Sequence, residues 1–165
     1  MAAKRAAVLL AALALTFGSL HSAAAQDRRN WLGDPFEQAT HGLPACPAPE
    51  GPLIDKADLP RYEHDRVERG TTCWRVGRCL LPNSYRYDKL INDAVVRGIQ
   101  ASGAYADTQV WVQTQRRIVF LQGCVRSAAQ KAALEAQAHQ TETVDLVINE
   151  LMVGSSGTPG YAVAR

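Results

Sequence analysis

Long apolar runs are scarce in this 165-residue chain: apart from residues 6–15, no segment approaches the roughly 20 residues a membrane-spanning helix needs. An excess of one charge is lacking too. Between residues 87 and 153 six basic side chains (Lys89, Arg97, Arg116, Arg117, Arg126, Lys131) face seven acidic ones. That balance offers no face able to neutralise a row of phosphates, so nucleic acid is excluded as a partner. Histidine is sparse, and His41, His64 and His139 fall in a linker, a short charged helix and an Ala-rich helix with no nucleophile motif nearby. General acid-base chemistry needs such groups gathered in a cleft, so no catalytic residue is expected and the chain is not read as an enzyme. Cys73 and Cys79 stand six apart rather than three, which is not a zinc-ligand spacing, so neither a metal nor any other cofactor is expected. No internal repeat is visible.

What the N-terminus does have is Lys4 and Arg5, the apolar run Ala6 to Leu15, and Ala23-Ala24-Ala25 before Gln26. This is the layout of a secretory signal peptide over residues 1–25, with no cysteine following it to take a lipid anchor. Its removal lowers the basic count from 18 to 16 against 16 acidic residues, leaving a neutral mature chain. The expected location is therefore periplasmic or secreted. Four cysteines remain, Cys46, Cys73, Cys79 and Cys124, an even number that implies two disulfides with three possible connectivities. The favoured pairing is Cys46 with Cys124 and Cys73 with Cys79, the short second loop having Gly77 to help it turn.

Residues 87–153 carry the most regular pattern. Asp88 reads as the N-cap of a helix with Ile91, Val95 and Ile99 on one face, which Gly103 can close. Strand-like runs at 109–114 and 118–123 flank a short polar turn and read as a hairpin, although the turn lacks the usual Gly. Ser127 and Gln130 form a capping-box pair ahead of the Ala-rich run 128–138, and residues 144–153 read as a strand. The expected fold class is α+β, an αββαβ module with two helices packed on one face of a three-stranded sheet, attached to an extended, disulfide-tethered N-terminal segment. Asp88 and Ile91, Val110 and Val112, then Val119, Leu121, Gly123 and Val125, then Ala138, and Val144, Val147, Asn149 and Leu151 fall where the BON domain places its pattern. The module resembles that family, named for bacterial osmotically inducible and nodulation proteins. A glycine usual in the family before the last strand is Thr143 here.

Upstream, residues 26–60 hold six prolines and read as an extended arm, residues 61–86 as a short helix followed by a cysteine-bearing cover segment, and residues 154–165 as a flexible tail. The cover is needed because period-2 alternation sends Trp111, Ile118, Phe120, Cys124, Ile148 and Met152 to the sheet face away from the helices. Five large apolar side chains in water would be unusual for a monomer. Residues 53–86, with Trp74, Leu80, Leu81 and Tyr85, are the nearest candidate, a homodimer face or a lipid or partner surface the alternatives. The resemblance implies a non-enzymatic envelope module that binds or organises a phospholipid surface or an envelope partner. Arg116 and Arg117 at the hairpin tip, with Trp31 and Phe36 in the arm, are the candidate contacts. The alternative is a structural subunit docking on a larger envelope complex without lipid.

Overall fold

The computed structural model describes residues 27–164; the expected signal peptide lies outside the described residues. In chain order the elements are β1 (Arg28–Arg29), β2 (Phe36–Gln38), β3 (Ile54–Asp55), a 3-10 turn at Lys56–Asp58, α1 (Leu59–Gly70), α2 (Thr72–Arg75), a 3-10 turn at Ser84–Tyr87, α3 (Asp88–Ser102), β4 (Gln109–Gln115), β5 (Ile118–Val125), α4 (Ala128–His139), β6 (Leu146–Asn149) and β7 (Met152–Val153). None of the helices among the described residues is long and apolar enough to cross a membrane.

The αββαβ order is present in α3, β4, β5, α4 and β6–β7, and the periodicities explain it. Ile91, Val95 and Ile99 form one stripe of α3, and Leu134 and Ala138 lie on α4. All five are buried against Val110 and Val112 of β4, Val119, Leu121 and Val125 of β5, and Val147 and Leu151 beyond them. Gly103 ends α3 in the left-handed conformation, at φ 64°. The Ser127 hydroxyl accepts the Gln130 N–H at 3.2 Å, but the Gln130 side chain returns to the Arg126 N–H rather than to Ser127. The last strand runs parallel to β5 and is broken in two: Ile118 to Leu121 pair with Leu146 to Asn149, and Cys124 and Val125 with Met152 and Val153. Thr143, just ahead of it, has φ 67°, a left-handed backbone in which a β-branched side chain is disfavoured and a glycine is at ease.

The upstream segment adds a fourth strand position to the sheet. β2 pairs antiparallel with β4, Phe36 opposite Gln113 and Gln38 opposite Trp111. Cys46 is bonded to Cys124, and Cys73 to Cys79, the pairing favoured from the sequence. Together the β2 pairing and the Cys46 bond decide what covers the outer face. Leu43, Cys46, Trp111 and Cys124 form a second buried cluster, flanked by Phe36 and Met152. The cover of this end thus comes from residues 36–46 and not from residues 53–86, as Trp74 and Leu80 are 50 % and 95 % exposed. A disulfide loop closes residues 73–79 within that later stretch, while Phe36–Gln38 of the arm run along the sheet as β2. The other end of the outer face, Ile118, Phe120 and Ile148, is only half-buried.

The tail is not loose either. Glu50 N–H donates to Ala162 O and Ala164 N–H to Ala48 O, and the Tyr161 hydroxyl donates to Pro47 O at 2.8 Å. Residues 161–164 are clasped to the arm because the arm presents an unpaired edge.

Candidate functional site

The β4–β5 hairpin turns on two residues, Arg116 and Arg117, with φ 56° and 66° and Gln115 paired to Ile118 across them. Two left-handed residues in a two-residue loop are the geometry that ordinarily calls for Asn-Gly. Here the turn is held from beneath. Asp88 is 2 % exposed, and its carboxylate accepts the Arg116 and Arg117 N–H groups, each at 2.7 Å. Asp88 is therefore not the cap of α3, the role its position suggests; it opens the helix without capping it, and its side chain crosses to the hairpin, where two strained N–H groups need an acceptor.

Burial pushes the Asp88 carboxyl up to about 6, against the pull of the Arg117 and Arg116 N–H groups; Asp34 nearby adds to the rise and Arg66 opposes it. A raised folded-state value means that the fold binds this proton more tightly than the unfolded chain. The associated stability is fully present below about pH 3.8 and is lost as pH rises through about 6. Measured as a difference from Asp88→Asn by urea denaturation, the stability of the parent should fall by roughly 2–3 kcal/mol between pH 4 and pH 7. A flat difference across that range would show that Asp88 titrates normally.

Around the tip the extension closes in. Asp34, also buried, ion-pairs with Arg66 of α1 and accepts the Gln115 side chain at 3.0 Å. The Arg66 guanidinium lies over the Tyr85 ring at 4.2 Å, and Asn83 donates to Arg66 O. These contacts set α1 and the 3-10 turn at Ser84–Tyr87 beside the hairpin. The space they leave is a cavity of about 240 Å³ lined by Arg69, Thr72, Cys73, Arg78, Ser84, Arg116, Arg117, Ile118 and Asp145. Within it the two expected arginines differ. Arg117 donates Nε to Thr143 O at 2.7 Å and Nη1 to Cys79 Sγ at 2.9 Å, and its guanidinium lies 5.6 Å from the Tyr87 ring centre. The Arg116 guanidinium has no hydrogen bond or ion pair among the described residues.

Trp31 and Phe36 do not line this cavity. Trp31 is half-buried, with Arg29 at 5.1 Å and Lys56 at 5.8 Å from its ring; Phe36 packs on the covered end of the outer face. Arg69, Arg78 and Ser84 were not singled out by sequence. A signal was there: residues 69–87 contain Arg69, Arg75, Arg78 and Arg86 and no acidic residue.

The elements that build this tip define a class, a two-helix, antiparallel-hairpin module with a parallel closing strand. Residues 87–155 match the family model of the BON domain, so the chain carries a BON domain. The match takes in α3 through β7 and leaves out the extension that supplies Arg69, Arg78 and Ser84. Of the curated proteins and solved structures compared with the chain, none matches it.

Proposed function

We propose that the chain is an exported, non-enzymatic envelope protein whose BON domain engages an anionic membrane surface through its hairpin tip. The resemblance to BON domains supplies the class of partner, and two disulfides suit an oxidising compartment outside the cytoplasm. The observation that carries the reading is the turn itself. Asp88 fixes both backbone N–H groups of Arg116 and Arg117, which presents a guanidinium with no partner among the described residues at the end of a rigid sheet. A basic residue at a charged membrane surface contributes about 1 kcal/mol, so Arg116→Asn should weaken co-sedimentation with phosphatidylglycerol vesicles about fivefold at low salt. Asparagine tolerates the left-handed backbone, which keeps the turn intact. Equal binding of parent and variant, or no preference of the parent for phosphatidylglycerol over phosphatidylcholine vesicles, would remove the lipid reading.

One observation favours docking to an envelope protein instead. Ile118, Phe120 and Ile148 are half-buried, Leu146 is 47 % exposed, and β6 is an edge strand, so an apolar strip borders an unpaired sheet edge. Leu146→Lys separates the two readings: it disturbs docking along that edge and leaves vesicle binding in place.

A further inference from the structure

We propose that the cavity between the extension and the hairpin tip is a binding site for a phosphoryl group. Four arginines line it, Arg69 and Arg78 from the extension and Arg116 and Arg117 from the BON domain, against one acidic residue, Asp145. Arg69 is loosely shared with Asp65 at 3.8 Å, whereas the side chains of Arg78 and Arg116 make no hydrogen bond or ion pair among the described residues. Arg117 spends Nε and one Nη1 hydrogen on Thr143 and Cys79, which fixes the plane of its guanidinium and leaves Nη2 to donate. Guanidinium groups arranged in this way suit a phosphate, whose oxygens accept paired N–H donors.

Ser84 provides an independent observation. It belongs to the cavity wall, is 3 % exposed, and its hydroxyl has no hydrogen-bond partner among the described residues. A buried hydroxyl left unsatisfied is costly, and a phosphoryl oxygen bound at this wall would accept its hydrogen bond. The cavity of about 240 Å³ has room for a phosphoryl group with a small substituent. The Cys73–Cys79 bond closes the loop that carries Arg78, so that arginine's backbone is held by a covalent clip.

The group can arrive on a lipid or on a soluble phosphate ester, and the site does not depend on a membrane. The test uses the full oxidised chain and titrates it with inorganic phosphate at pH 7 and constant ionic strength, by calorimetry or amide chemical shifts. Saturable binding near 1 mM or tighter is expected. Arg78→Gln and Ser84→Ala should each weaken it at least threefold, while Arg97→Gln, an exposed charge on α3 outside the cavity, leaves it unchanged. Non-saturable shifts, or equal loss in Arg78→Gln and Arg97→Gln, would overturn the site as general electrostatics. Parallel sedimentation with phosphatidylglycerol vesicles identifies the source. Vesicle binding that phosphate competes away places the group on a lipid; phosphate binding without vesicle binding keeps the site and removes the membrane reading; vesicle binding without phosphate binding does the reverse.

Discussion

Replacing Cys46 and Cys124 together with alanine should lower stability by about 4 kcal/mol, because the bond closes a span of 78 residues and removes that much loop-closure freedom from the unfolded chain. For a chain of this length the melting midpoint should drop by roughly 8–16 °C. The loss has a structural side as well. Cys124 is fully buried beside Trp111 and Leu43, so the variant should also bind a hydrophobic dye as residues 36–46 lift from the sheet. Alanine at Cys73 and Cys79 opens a loop of only six residues, worth about 2 kcal/mol at most, and should leave the dye signal unchanged. Thermal denaturation of both oxidised variants decides; a midpoint within two degrees of the parent for the first would mean that β2 alone holds the cover.

The second large effect belongs to Gly123. Its φ is 119°, and a β-carbon there would stand 2.0 Å from the Gln109 carbonyl oxygen and 3.1 Å from the Trp111 ring. Gly123 faces Val110 across the β4–β5 ladder, so alanine would drive apart the central pair of strands and the two clusters on either side of them. Backbone strain of about 1–2 kcal/mol and overpacking of about 1–3 kcal/mol together give an expected loss of roughly 3–5 kcal/mol in urea denaturation. Gly103→Ala is the control. Its φ is 64° with open space around the added carbon, and it should cost about 1 kcal/mol. Similar losses at the two sites would show that the close approach at Gly123 relaxes at little cost.

Much of the BON domain was legible because its signals are local. Gly103 ends α3 and Ser127 caps α4 as their residue types require, and along β4 and β5 Val110, Val112, Val119 and Leu121 fall in one buried cluster and Trp111 and Cys124 in the other. The elements that escaped depend on distant partners. β2 is three residues long and follows Pro35, too short to show alternation, and exists because β4 offers it an edge. The clasp of residues 161–164 on residues 48–50 pairs segments more than a hundred positions apart. Asp88 has the position of a cap, but the use of its carboxylate is set by two left-handed residues 28 and 29 positions away. At the candidate site Arg116 and Arg117 were evident as a basic pair at the hairpin turn; Ser84 carries no signal of its own, since an unpaired hydroxyl is a fact of packing. Arg69 and Arg78 stood in an acid-free stretch outside the BON pattern.

The two disulfides are nested, 73 with 79 inside 46 with 124, and a ribosome makes chains from the N-terminus. Cys46, Cys73 and Cys79 are therefore all complete before Cys124 exists, and the first thiol to follow Cys46 is not its partner. The bond that closes the longer loop is the one whose second half is synthesised last. Its formation waits on β5, so the lock across the sheet can be set only on a chain whose central strands have already been made.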